Sequence, residues 1–154
     1  MKKTFFKLTL IAALGLGLGS CTKKTTSTPA STTPSFTASM NGTSTTFTGK
    51  ASLGSNYLTI TGVGTNYTIT IYDKLPVQVG SAVTLGAPGG TYASVTTGAG
   101  QFWETSSTST GTLTITTYDT STNLVTGTFS FTGTPSSGTG NMAVTGGSFA
   151  NITF

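Results

Sequence analysis

From Ser35 onward the chain alternates apolar residues with threonine and serine. Tyr67, Ile69 and Ile71 interleave with Thr68, Thr70 and Tyr72, and Leu113 and Ile115 interleave with Thr112, Thr114 and Thr116. Val125, Phe129 and Phe131 likewise stand opposite Thr126, Thr128 and Ser130. Successive side chains of a strand point to opposite faces, so a period of two puts one apolar row inward and one hydroxyl row outward. Branched and aromatic residues favour that pleated surface, and one-sided burial is the habit of antiparallel sheets. A helix would need apolar positions recurring at three and four, carried by good helix formers, and no window of this region offers them. The pattern predicts an all-β region with essentially no helix.

Glycine and asparagine punctuate the alternation. Asn41 and Gly42, between Met40 and Thr43, form the pair that two-residue hairpins favour, because both central residues need positive φ. They predict a hairpin of strands over 35–40 and 43–49. Further strands are expected over 56–62, 66–72, 81–85, 91–97, 101–105, 111–118, 124–132, 141–146 and 148–154. About 9 to 11 short strands at such even spacing predict an antiparallel meander forming a β-sandwich or flattened barrel. Glycines at 127, 133, 146 and 147 permit bends or bulges. The core is expected from Phe36, Phe47, Leu58, Ile60, Ile69, Ile71, Val95, Leu113, Ile115, Phe129, Phe131, Ile152 and Phe154. Phe149 and Phe154 have opposite parity, so one faces outward or a bulge intervenes. The triplet Thr-Ile-Thr at 59–61, 68–70 and 114–116 arises from alternation alone, with no longer period to indicate duplication.

The first residues follow another rule. Lys2, Lys3 and Lys7 precede an 11-residue apolar stretch from Leu8 to Leu18, followed by Gly19 and Ser20. A basic start, a short apolar middle and a small-residue end make a signal peptide. A permanent spanning helix would need roughly 20 apolar residues. Residues 1–20 are expected to be removed. Thr22 to Pro34 is rich in Thr, Ser, Lys and Pro and has no large apolar side chain. It cannot bury enough surface to offset the entropy of ordering. Residues 21–34 are therefore read as a tether and 35–154 as one domain.

The segment Leu18-Gly19-Ser20-Cys21 resembles the lipobox of bacterial lipoproteins. That resemblance implies cleavage between Ser20 and Cys21, a diacylglyceryl group on the Cys21 thiol, and usually a further acyl chain such as palmitate on the new amino terminus. Each buried methylene contributes roughly 0.8 kcal/mol, and two acyl chains hold firmly where one does not. The membrane is thus the first expected partner, reached through lipid on Cys21. In the Gram-negative lipoproteins that this segment resembles, an aspartate after the acylated cysteine favours inner-membrane retention. Thr22 stands here, which implies the outer membrane. Lys23 and Lys24 are the reverse of the acidic tag that some lineages use for surface export, which favours the periplasmic face. The closing segments Gly127-Thr128-Phe129-Ser130-Phe131 and Gly147-Ser148-Phe149, with Asn151, Ile152 and Phe154, are similar to small all-β Gram-negative lipoproteins grouped in families of unknown function. That family carries over no catalytic residue.

Charge and chemistry narrow the function classes. The formal net charge of +4 is mostly a property of the leader, which holds three of the seven cationic residues. The remainder opposes four lysines to Asp73, Glu104 and Asp119, and two of the four, Lys23 and Lys24, lie beside the lipid. Lys50 and Lys74 alone cannot neutralise a phosphate backbone, so nucleic acid is not expected as a partner. The chain has no histidine, and its single cysteine is assigned to lipid. Ser-His-Asp and Cys-His machinery and ordinary transition-metal sites are thereby excluded, and no metal or cofactor is expected. Gly86-Ala87-Pro88-Gly89-Gly90 lacks the lysine and following helix of a phosphate loop. Asp73 and Asp119 each follow a tyrosine at a strand end and are read as turn-closing residues. Glu104 beside Trp103 is a single acid, which is not a mechanism, and neither aspartate sits among the several oxygens that calcium needs. The sequons at Asn41, Asn66 and Asn151 carry no functional reading.

The remaining candidate is an aromatic contact surface. Phe102 and Trp103 are adjacent, so in a strand they diverge and at most one belongs to the core of a two-layer fold. An exposed indole, or one of the tyrosines, suits stacking on a sugar or docking a protein. The sequence therefore points to a non-catalytic binding or structural module of the envelope, with an envelope protein or glycan as partner. The alternative is a lipocalin-like carrier whose barrel encloses a small apolar ligand.

Overall fold

In the computed structural model, residues 33–137 and 139–154 are described. The expected signal peptide, Cys21 and nearly all of the expected tether lie outside them. The described residues form ten strands and no helix: β1 (Ser35–Met40), β2 (Thr43–Leu53), β3 (Tyr57–Val63), β4 (Tyr67–Lys74), β5 (Ala82–Leu85), β6 (Tyr92–Thr97), β7 (Phe102–Glu104), β8 (Gly111–Asp119), β9 (Leu124–Ser137) and β10 (Met142–Thr153). The Asn41-Gly42 turn has the expected positive φ at both residues, 46° and 86°.

The strands pair in the order β10-β1-β2-β3-β4-β6-β7-β9, and a β9–β10 pairing closes these eight into a barrel, with β8 and then β5 branching from β9. All pairings between these strands are antiparallel. The meander holds from β1 to β4 and then breaks, because β5 leaves the barrel to pair with β8 and β4 takes β6 as its neighbour. Two long strands make the corners of the flattened barrel. The first half of β2 pairs with β1 and its second half with β3. One edge of β9 pairs first with β8 and then, beyond Gly133, with β7.

The two strands expected over 141–146 and 148–154 are one strand, β10. Its register against β9 shifts between Val144 and Gly147, and again between Phe149 and Ile152. Gly146 and Asn151 take φ of 57° and 52° at these bulges. The extra residues kink the strand without ending its ladder. The second bulge also answers the parity question: Phe149 and Ile152 are both buried, while Phe154 is half-buried against Tyr118, with ring centroids 4.9 Å apart.

The core lies between the two flattened walls. Apart from Phe154, every residue expected in it is buried, joined by Ala38, Met40, Leu85, Ala93, Trp103, Val125, Met142, Val144 and Phe149. Phe36 is its hub, with ring centroids 5.5 Å from Phe47, 5.4 Å from Phe129 and 6.0 Å from Phe149. Glycines on the inner face make room for these rings. A Cβ at Gly62 would lie 2.6 Å from the Phe36 ring, one at Gly147 2.5 Å from that of Phe129, and one at Gly127 2.7 Å from that of Phe149. Outward, the alternation becomes a hydroxyl row that crosses five strands in register: Thr46, Thr37, Ser148, Thr128 and Thr114.

Antiparallel connectivity gives the barrel two distinct ends. Turns β1–β2, β3–β4 and β6–β7 lie at one end. The start of β1, the end of β10 and the loop from Leu75 to Thr91 lie at the other.

Candidate binding site

Phe102 and Trp103 diverge as alternation requires. Trp103 is 5% exposed and belongs to the core, and its Nε1 donates to the carbonyl oxygen of Gly140 at 2.9 Å. It is therefore a strut and not a surface residue: the flattened barrel buries this face of β7, and the indole N–H finds a backbone acceptor there. Phe102 faces outward and is half-buried. The pair does not form a joint surface.

An aromatic surface is built from three other strands. β4 lies between β3 and β6, and Tyr72 stands directly across from Tyr92 on the outer face. Their rings stack with centroids 4.4 Å apart and planes 11° apart. Tyr57, on β3, presents its ring edge-on to both, at 6.1 Å from each. All three are half-buried, so each keeps part of its ring in solvent. Offset stacks and edge contacts of this kind are the favoured aromatic arrangements, contributing about 0.5–1.5 kcal/mol per pair beyond area burial. The three rings thus brace one another.

Its surroundings are polar. Burial pushes the Tyr92 hydroxyl above its usual range, and the neighbouring Tyr72, Glu104 and Tyr57 add to the shift, so at neutral pH it stays a neutral donor. Burial likewise raises Glu104. Lys74 follows on β4, and its Nζ donates to the carbonyl oxygen of Gly89 at 2.9 Å, tying the 86–91 loop beside the patch. Thr105 holds that loop from below, its hydroxyl donating to the carbonyl oxygen of Gly86 at 2.6 Å and its backbone N–H to that of Ala93 at 2.9 Å.

The two aspartates part company. Asp119 is the expected turn-closing residue: its Oδ1 accepts from the backbone N–H of Ser121 at 2.8 Å and from the Ser121 hydroxyl at 2.6 Å. The Ser121 hydroxyl foremost, followed by Thr122 and the backbone, holds its carboxyl down at about 2. Asp73 is not a turn residue. It faces inward from β4 opposite Leu58, is 2% exposed, and accepts only from the Thr91 hydroxyl, at 3.3 Å. Its Oδ2 is buried with no partner among the described residues. Burial raises the carboxyl to about 6, against the opposing Thr91 hydrogen bond. The sequence reading missed this because parity places residue 73 on the inner face, after Ile69 and Ile71, while its residue type argued for a turn.

At the other end of the barrel the chain forms a second, differently lined concavity. A depression of about 560 Å³ opens between the β1–β2 and β3–β4 turns, lined among others by Asn41, Thr43, Thr45, Asn66 and Tyr67. A second, of about 290 Å³, shares Thr65, Asn66 and Tyr67 with it and continues to Gln101 at the β6–β7 turn.

The profile of a family described as a domain of unknown function (DUF6252) matches residues 32–153. No curated protein and no solved structure matches the chain.

Proposed function

We propose that this chain, which belongs to the DUF6252 family of domains of unknown function, is a lipid-anchored, non-catalytic binding module of the cell envelope. Lipid on Cys21 holds it at the periplasmic face of the outer membrane, and Tyr57, Tyr72 and Tyr92 contact a protein or glycan of the envelope. The observation that carries the reading is the Tyr72–Tyr92 stack with Tyr57 against its edge, an ordered aromatic patch on an otherwise threonine-rich surface. Tyrosine is enriched at binding hot spots because it presents a large, stiff, amphipathic area. The patch sits at the end of the barrel where β1 begins.

A non-catalytic role is supported by the absence of histidine and by the local commitments of two of the three acids: Asp119 to its own turn and Asp73 to the interior. The carrier alternative is disfavoured by packing. The phenylalanine rings fill the space between the walls down to the glycine backbone, where a carrier needs a cavity of several hundred Å³.

The test is capture of partners from detergent-solubilised envelopes by the full acylated chain and by its Tyr72→Ala variant. A ligand or protein held by the parent chain and released about thirtyfold more readily by the variant supports the reading, as expected for a hot spot of about 2 kcal/mol. An identical set of partners at identical affinity refutes it.

A further inference from the structure

We propose that the turn-lined end of the barrel is a separate binding site for an uncharged glycan, with Tyr67 as its stacking platform. The site is distinct from the tyrosine patch. Tyr67 and Tyr72 lie at opposite ends of β4, roughly 17 Å apart along the strand, and Tyr67 has the inward parity while Tyr72 faces outward.

Three observations converge on this end. The concavity is an open depression of about 560 Å³ at a barrel mouth, a preferred location for small-molecule sites. It is elongated, since the adjoining 290 Å³ depression shares Thr65, Asn66 and Tyr67 with it. A chain-like ligand therefore crosses the tyrosine between the two. Tyr67 is half-buried and packed against the core, so its ring is fixed from behind.

The lining chooses the ligand class. No lysine, arginine, aspartate or glutamate lines either depression, which leaves nothing to select a phosphate, a carboxylate or a cation. The lining mixes hydroxyl and amide groups with apolar surface in similar measure, so a lipid chain would desolvate polar groups without repaying them. Hydroxyls and side-chain amides both donate and accept, as sugar hydroxyls do, and an aromatic ring provides the flat apolar face that a pyranose stacks on. Much of this capacity is unspent. Asn66 and the hydroxyls of Thr65 and Tyr67 are engaged by no hydrogen bond among the described residues, while Asn41 is oriented by its own bond, its Oδ1 accepting from Ala143 N at 2.8 Å. An extended peptide is less well suited, because it binds by lengthening a sheet edge and this end is made of turns and closed strands.

Saturation-transfer NMR of the full acylated chain in detergent tests the site, with cellotetraose, chitotetraose and maltotetraose as neutral probes. A sulfated tetrasaccharide and a Gly-Thr-Ser peptide serve as the charged and peptide probes. The expected result is transfer to ring protons of at least one neutral probe. That transfer falls at least about tenfold in Tyr67→Ala and in Asn66→Ala, and is unchanged in Tyr72→Ala. Asn66→Ala serves because Asn66 is exposed and its loss leaves the core intact. Transfer lost in Tyr72→Ala but kept in both mouth variants overturns this site while sparing the tyrosine patch. Transfer to the peptide or the sulfated probe alone, or to none, overturns it outright.

Discussion

The indole N–H of Trp103 and the carbonyl oxygen of Gly140 meet at 2.9 Å across 37 residues of sequence. This bond fastens the β9–β10 connection to the short strand β7, whose pairing with β9 shifts register between Phe102 and Trp103. Trp103 does two structural jobs at once, filling the core and satisfying a carbonyl.

Trp103→Phe is therefore expected to destabilise the domain by about 2 kcal/mol, combining a partly emptied site with a lost hydrogen bond. Phe102→Leu, on the outer face, is expected to cost about 1 kcal/mol or less. Urea denaturation of the two variants distinguishes them, and equal midpoints would contradict the assignment of the indole to the core.

The glycine–phenylalanine contacts predict a sharp contrast. Gly62→Ala drives a methyl into the buried Phe36 ring and is expected to cost about 1–3 kcal/mol, because the ring has no room to retreat. Gly98→Ala, where no atom lies within 4 Å of the added carbon, is expected to be near neutral. Thermal unfolding of both reads the difference.

Asp73 gives stability a pH dependence of unusual sign. Burial pushes its carboxyl up to about 6 in the folded chain, well above the usual carboxylate range, so over that window the folded state holds a proton that the unfolded state releases. Its contribution is full below about pH 4 and is lost as pH rises through 6, a change of about 2–3 kcal/mol. Glu104, also raised, acts in the same direction, while Asp119, held at about 2, stabilises above its unfolded value and loses that contribution only as pH falls below 4. Asp73→Asn is expected to flatten the profile between pH 4 and 7 and to exceed the parent chain in stability at pH 7. A parallel profile would place the titration elsewhere.

Lipidation is expected at Cys21. Mass spectrometry of protein extracted from membranes should give a mature chain that starts at Cys21 and carries acyl mass. Cys21→Ser is expected to abolish partitioning with membranes, and a serine variant that still sediments with them would remove the anchor from the proposal.

The alternation was legible because it is a local consequence of the pleat. Any strand with one wet face must place Ile69 and Ile71 on the other, and the Asn41-Gly42 turn needs only its own two positive φ angles. The missing histidine and the lone cysteine likewise limited the chemistry before any fold was known. Pairing is a different matter, since it is decided by which strands can share a core and not by any one strand's pattern. Nothing in residues 82–85 says that β5 leaves the barrel for β8. Yet that departure brings β4 against β6 and so stacks Tyr72 on Tyr92. The same non-local choice turned Trp103 inward to Gly140 and sealed Asp73 beneath Thr91. The sequence by itself determined the alternation, the Asn41-Gly42 turn and the absence of histidine; only the closing of the barrel decided which strands pair and which aromatic residues meet, because pairing depends on neighbours that are distant along the chain.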